Sequence, residues 1–225
     1  MNDNTKRFQR IISLIGIDNF NKLQKSIVAV IGLGGVGGTV AISLARSGIG
    51  TLIILDSDKV EYSNINRQLI ASTNSLDKYK TDVLEEMIND INPNCNVIKL
   101  TERYNIDSHL FDYKFDYLAD CIDSVSDKID LINRCSSLNI PFISSMGTAL
   151  KMDIKKLEIT KISKTSYDPL AKVIRKKARE LGIKDFDVLS STEEPIQSDI
   201  LASYMPVTST AGLMISDHII KNLIK

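Results

Sequence analysis

Two patterns of apolar residues take turns along this chain: short continuous runs, and stripes at helical spacing. Ile27-Val28-Ala29-Val30-Ile31 is apolar, mostly β-branched and too short for a helix, which suits a strand buried on both faces. Residues 52–55, 96–101, 116–122, 141–145, 157–162 and 186–191 read as further strands. Helical stripes fall between and around them. Phe8, Ile11, Ile12 and Ile15 recur at i, i+3, i+4 and i+7, predicting an amphipathic helix over 5–15 with Arg7 and Arg10 off the stripe. Gly16 ends it, and Asp18 is placed to cap a second short helix through Leu23. Ser75 is placed to cap a helix to about residue 89, with Val83, Leu84, Met87, Ile88 and Ile91 facing inward and Asn92-Pro93 stopping it. A short helix is expected over 108–111, and another from Ser126. Asp168 followed by Pro169 reads as N-cap and first helical residue, with Leu170, Val173, Ile174, Ala178 and Leu181 as the buried stripe and Gly182 as the stop. Pro206 precedes a C-terminal helix over 207–224.

Strand–helix alternation predicts an α/β fold with a Rossmann-like doubly wound sheet, extended at its C-terminus by an extra strand and helix region. At 225 residues the chain can bury a full core as one domain. That domain divides into a helical arm (1–24), a nucleotide-binding core (25–150) and a basic extension (151–225).

The chemistry begins where the first strand ends. Gly32, Gly34 and Gly37 form G-x-G-x-x-G at a strand-to-helix turn, joined by Gly35. There, backbone N–H groups at a helix start can approach phosphate oxygens that a Cβ would block. Ala41, Leu44 and Ala45 give the following helix an apolar face, and Gly48 stops it. The second strand ends at Asp56, placed for ribose hydroxyls. An ordinary dinucleotide site needs nothing more. Here Asp56-Ser57-Asp58-Lys59-Val60-Glu61-Tyr62-Ser63-Asn64-Ile65-Asn66-Arg67-Gln68 follows, with Lys80 beyond it. A guanidinium and an ammonium converging on a nucleotide suit a triphosphate and are left unexplained by a nicotinamide.

This run resembles the ATP-dependent adenylating enzymes of the ThiF, molybdopterin-synthase-activating and ubiquitin-activating superfamily. The resemblance implies ATP as cofactor, bound by Gly32, Gly34, Gly35, Gly37, Asp56, Asp58, Asn64, Arg67, Gln68 and Lys80. It implies Mg2+ at Asp123, the last acid of Asp120-Cys121-Ile122-Asp123-Ser124. From its own position, Asp123 could equally cap the helix expected at Ser126. Arg7-Phe8-Gln9-Arg10 matches an R-x-x-R element that the neighbouring subunit lends in this family, which implies a homodimer with Arg10 in the partner's site. On spacing alone, Arg10 would be a solvated helix residue. Arg10, Arg67, Lys80 and Asp123 are therefore the expected catalytic set.

Composition changes this picture in three places. Cys95, Cys121 and Cys135 contain no C-x-x-C, so the structural zinc of some relatives is not expected. Cys121 reads as strand core, and an odd number of thiols behind a polar N-terminus suggests a cytoplasmic setting. The most apolar stretch, 27–45, contains five glycines, so no membrane span is expected. The chain is neutral overall, yet residues 151–184 hold eleven Lys or Arg against four Asp or Glu. Such a run is usually a solvated face, but a basic helix on an otherwise acidic chain is also the footprint of a phosphate-backbone partner. Lys172, Arg175, Lys176 and Arg179 would line that face.

Residues 140–149, Lys164-Thr165 with Asp168-Pro169-Leu170-Ala171, and Ser190-Ser191-Thr192-Glu193 resemble the tRNA threonylcarbamoyladenosine dehydratase branch of the superfamily. The implied reaction is ATP-dependent cyclisation of that nucleoside in tRNA, with no enzyme thiol; a monovalent cation is left open. The alternative is adenylation of the C-terminal glycine of a ubiquitin-like sulfur carrier, with a sulfur-transfer protein as partner. A nicotinamide oxidoreductase is the third reading, and it leaves Asn64, Arg67 and Lys80 without a role.

Overall fold

The computed structural model describes residues 6–225. Seven strands form one sheet: β1 (Ile27–Ile31), β2 (Thr51–Leu55), β3 (Asn96–Leu100), β4 (Tyr117–Asp120), β5 (Phe142–Ser145), β6 (Leu157–Lys161) and β7 (Asp187–Ser191), in the order β3-β2-β1-β4-β5-β7-β6. All neighbours pair in parallel except β6, which runs antiparallel to β7 at the edge. Strand order reverses direction between β1 and β4, the switch point where open α/β sheets bind ligands.

The continuous apolar runs are explained by helices covering both faces. Val28, Val30, Leu52 and Ile54 enter one core with α3 (Gly37–Arg46), α4 (Lys80–Ile91) and α7 (Met205–Leu223). Ala29, Ile31, Ile53 and Leu55 point the other way, into a second core with α5 (Val125–Ser137). A third cluster under α6 (Pro169–Glu180) holds Ile132, Met146, Ile162, Ala171, Ile174, Ala178, Phe186 and Val188. Burial of this apolar surface, at roughly 25 cal/mol per Å2, is the main force holding the layers together.

The N-terminal arm folds as α1 (Gln9–Ile15) and α2 (Ile17–Lys25), separated by Gly16 at φ 82°. The start of the 5–15 helix includes residue 5, outside the described residues. Of its expected stripe only Phe8 is buried, against Phe20, while Ile11, Ile12 and Ile15 are half-covered. Leu14 and Ile17 are 83% and 52% exposed, so the arm keeps apolar surface that its own chain does not cover. Among the described residues no helix is long and apolar enough to cross a membrane.

Several expectations are corrected. Ser75 does not cap α4. It closes a separate 3-10 turn with Ser72 through reciprocal side-chain bonds, and α4 begins at Lys80. β4 ends at Asp120, so Cys121 lies just past the strand rather than within it. α5 starts at Val125 with Ser124 in the N-cap position, which excludes Asp123 as the cap. On α6 the buried stripe is Ala171, Ile174 and Ala178. Val173 and Leu181 are exposed and Leu170 is half-buried, because the face that meets the cluster is the one carrying Ala171, Ile174 and Ala178.

Candidate nucleotide-binding site

Register builds the site. Ile31, Leu55 and Asp120 are neighbours across β2, β1 and β4, so the next residues, Gly32, Asp56 and Cys121, emerge together at the C-terminal edge of the sheet. The crevice above them has a volume of about 530 Å3, within the range of small-ligand pockets. It is lined by the glycine loop, Asp56, Asp58, Asn64, Arg67, Gln68, Lys80, Asp123 and neighbouring residues.

The glycines are explained by close approach. A Cβ on Gly37 would lie 1.8 Å from the carbonyl oxygen of Gly32, so any side chain there would force the strand–helix turn apart. One on Gly35 would meet the Arg67 carbonyl oxygen and the Thr208 side chain, each at 2.9 Å. Asp56 fastens the loop from below: one carboxylate oxygen accepts the Leu33 N–H at 2.6 Å and the other the Asp58 N–H at 2.8 Å. Burial raises the Asp56 pKa above the ordinary carboxylate value, with the Lys80 ammonium and the two N–H groups opposing it in part.

Lys80 reaches the crevice because residues 58–60 zip against 78–80. Lys80 N–H donates to the Asp58 carbonyl at 2.9 Å, and Val60 N–H donates to the Lys78 carbonyl, also at 2.9 Å. The Lys80 side chain is buried; its ammonium lies 2.7 Å from Asp58 and 3.9 Å from Asp56. A merely solvated lysine is thereby excluded. Asn64 closes its own 3-10 turn by accepting the Glu61 N–H. Arg67 donates to the Ser63 carbonyl at 2.6 Å and to Asn66 at 3.1 Å. The C-terminal segment braces this run, with Asn66 donating to the Ser203 carbonyl and Thr208 to that of Arg67. Gln68 is buried beside Gly34, and its side-chain oxygen has no hydrogen-bond partner among the described residues. The end turned toward Gly34 is the side-chain nitrogen, a donor suited to an anion lying across that loop.

Asp123 is exposed at the crevice wall and makes no hydrogen bond among the described residues, leaving its oxygens open for a cation. Among the described residues no three His, Cys, Asp or Glu cluster as a metal cage. A magnesium ion, however, typically takes one or two carboxylates and otherwise binds water and phosphate oxygens. The two arginines of the N-terminal element divide their work. Arg7 donates to the Asp90 and Ile91 carbonyls at the end of α4, whereas Arg10 is exposed, does not line its own chain's crevice and has no hydrogen bond or ion pair among the described residues. On the basic helix, Lys172, Lys176 and Arg179 are exposed. Arg175 is not available in the same way, because it donates to the Thr165 carbonyl at 2.8 Å and to the Thr165 hydroxyl, tying down the turn before α6.

Two groups escaped the sequence reading. Arg103, just past β3, lines the crevice and pairs with Asp127 at 2.9 Å, spanning from the edge strand to the start of α5. The second is the fully buried Lys128, which binds Asp120 at 2.8 Å, the Ser144 hydroxyl at 3.1 Å and the Ser145 carbonyl at 3.0 Å. Its signal was present: a lysine on the inward stripe with Leu131, Ile132 and Cys135 needs a buried anion, and β4 ends in one. Cys121 lines the crevice, but burial pushes its thiol up to about 12, so at neutral pH it is protonated and a weak nucleophile.

The ThiF family profile matches residues 7–225. The chain belongs to the ThiF family. Within it, the chain is 39% identical over 241 residues to the tRNA threonylcarbamoyladenosine dehydratase of Bacillus subtilis, covering 97% of this chain and 95% of that one. The sulfur carrier protein ThiS adenylyltransferase of Escherichia coli is 35% identical over 150 residues, 64% of this chain and 59% of its own length. The structure of Escherichia coli tRNA N6-threonylcarbamoyladenosine dehydratase in complex with ATP superposes with a TM-score of 0.94 at 29% identity, covering 100% of this chain and 96% of that one. The seven-stranded, mostly parallel sheet of this ThiF-family chain is thus shared along its full length.

Proposed function

We propose that this ThiF-family protein is an ATP-dependent tRNA threonylcarbamoyladenosine dehydratase. The observation that carries the reading is the extent of the likeness: the Bacillus subtilis dehydratase match covers 97% of the chain and the Escherichia coli dehydratase structure all of it, whereas the sulfur-carrier adenylyltransferase match covers 64%.

ATP supplies the leaving group: the threonyl carboxylate is adenylated with loss of pyrophosphate, and the neighbouring carbamoyl group then closes a five-membered ring, expelling AMP, with a net loss of water. The chain's own residues position and neutralise. Asp56 stands at the strand end where a ribose would be held, and Gln68 and the glycine-loop amides face the phosphate side. Arg67 and Lys80 bring positive charge to the α-phosphate as pyrophosphate departs. Asp123 offers a hard oxygen to Mg2+. Ring closure is intramolecular, and effective molarity makes it fast without a covalent enzyme intermediate.

A homodimer completes the site in this reading. Arg10 has no hydrogen bond or ion pair among the described residues, and Leu14 and Ile17 expose apolar surface on the same arm, which a second copy would cover while the partner's Arg10 reaches the phosphates. Lys172, Lys176 and Arg179 are the tRNA-backbone contacts. One domain serves throughout, with the arm, core and extension as its parts, and tRNA as substrate implies a cytoplasmic setting.

The experiment is to incubate the protein with ATP, Mg2+ and tRNA carrying threonylcarbamoyladenosine and analyse the nucleosides by mass spectrometry. The expected result is a product lighter by one water, with stoichiometric AMP and pyrophosphate. Pyrophosphate exchange stimulated by a ubiquitin-like carrier and not by tRNA would refute the reading.

A further inference from the structure

Outside glycine, positive φ occurs at four described residues: Asp77, Asn139, Leu150 and Tyr167. Asp and Asn adopt this conformation readily, whereas Leu150 at 59° and Tyr167 at 51° do so against steric resistance. Both flank the same anchor. Lys151 follows Leu150, is 3% exposed, and donates from Nζ to the Tyr167 carbonyl at 3.1 Å and to the Glu193 carbonyl. The Glu193 carboxylate in turn accepts the Met152 and Asp153 N–H groups. Asp168, the next residue after Tyr167, caps α6 through the Ala171 N–H and reaches back to the Gly147 N–H, both at 2.9 Å. Gly147 adjoins Thr148 and Ala149, which line the nucleotide crevice.

All this fixing of backbone delivers one unused group, the Tyr167 ring. It is 60% exposed, and among the described residues it has no aromatic partner and its hydroxyl makes no hydrogen bond. Exposure alone would not single it out, since Tyr62 is 76% exposed on an unstrained turn. Placement does. Tyr167 stands at the junction between the crevice wall and the first turn of α6, whose Lys172, Lys176 and Arg179 face solvent. Strained, over-determined backbone of this kind is typical of ligand clamps.

We propose that Tyr167 is a stacking platform for an unpaired nucleobase of the tRNA anticodon loop, beside the modified adenosine. The proposal rests on the dehydratase reading and names how that substrate is held. Single-stranded RNA loops are recognised by splayed bases stacked on aromatic rings, while basic side chains take the phosphates. Here the ring belongs to a turn tied to the crevice wall through Asp168 and Gly147, and the cations run away from it along α6, so a stacked loop base is held on the crevice side as the backbone follows the helix. The rigid mount means little ordering is left to be done on binding.

The test uses an anticodon stem-loop RNA with 2-aminopurine beside the target adenosine, titrated with wild-type protein, Tyr167→Phe and Tyr167→Asn. Asn tolerates positive φ, so that variant keeps the turn while losing the ring. Wild type and Tyr167→Phe should bind alike and quench the fluorescence. Tyr167→Asn should bind roughly 5- to 100-fold more weakly and lose the quench, with ATP affinity unchanged. If wild type binds and dehydrates the RNA and Tyr167→Asn matches it in affinity and quench, the stacking proposal falls alone. A change in oligomeric state of Tyr167→Asn would also overturn it, because the ring would then be packing against a second copy. If wild type neither binds nor dehydrates the RNA, the dehydratase reading fails and takes this proposal with it.

Discussion

Replacing Lys128 with methionine should destabilise the protein out of proportion to the atoms removed. Both Lys128 and Asp120 have fully buried side chains, and their charges meet at 2.8 Å. Methionine fills much the same volume, so the loss is electrostatic. Asp120 would keep the Ser144 hydroxyl and the Ile122 N–H but lose its only countercharge in a buried layer, and the Ser145 carbonyl would lose its donor. Removing one partner of a buried pair costs about 3–5 kcal/mol. At about 2–4 °C per kcal/mol for a chain of this size, the melting temperature should fall by roughly 6–20 °C. Asp120→Asn strands the ammonium instead and should cost a similar amount. The double variant leaves no buried charge and should be much more stable than the sum of the single effects predicts, with a coupling of at least about 2 kcal/mol. Urea denaturation of the four proteins, with m-values checked for constancy, gives the cycle. A cost below about 1 kcal/mol for Lys128→Met, or additive single effects, would refute the claim that this pair is buried and mutually dependent.

Three further outcomes are expected. Mixing Arg10→Ala protein with Lys80→Ala protein should restore activity that neither has alone, because each hybrid dimer carries one intact site; confirmed subunit exchange without recovery would exclude a shared site. Asp123→Asn should abolish ATP-dependent pyrophosphate release while thermal melting stays unchanged, since Asp123 is exposed and caps nothing. Reversing Lys172, Lys176 and Arg179 to Glu should weaken tRNA binding and flatten its dependence on salt without altering ATP affinity, whereas equal titrations at two salt concentrations would leave α6 a solvated face.

What was legible in the sequence was what is decided locally. The first two strands, the glycine loop and the acid at the end of β2 are written in contiguous residues, and each stands where its spacing placed it. What escaped depends on residues brought together across the sheet. Ser75 carries a genuine capping signal, but the chain uses it in a turn of its own, and the start of α4 is set instead by pairing between 58–60 and 78–80. Arg175 reads as one more surface cation until the turn at Thr165 folds beneath it. Leu170, Val173 and Leu181 look more hydrophobic than Ala171 and Ala178, yet the rotation of α6 about its axis turns the face with Ala171, Ile174 and Ala178 to the cluster. The Arg103–Asp127 span joins positions after β3 and within α5, which no local pattern connects.

The charges lining the crevice explain why one chain is an incomplete catalyst in this reading. Five carboxylates line it (Asp56, Asp58, Glu102, Asp123 and Asp127) against three cations, Arg67, Lys80 and Arg103. Two of those cations are already engaged by acids, Lys80 by Asp58 and Arg103 by Asp127. A triphosphate would therefore enter a site of its own sign, with little free positive charge to meet it. Two additions would reverse the balance: a divalent cation at Asp123, and the partner's Arg10, which has no acid paired with it among the described residues of its own chain. The same reasoning separates affinity from turnover at Asp123. Removing its charge lessens the repulsion that nucleotide meets without metal, so Asp123→Asn can bind ATP as well as the wild type while losing the cation that stabilises the departing pyrophosphate. A variant that binds but does not release pyrophosphate is the signature of a carboxylate whose role belongs to the transition state.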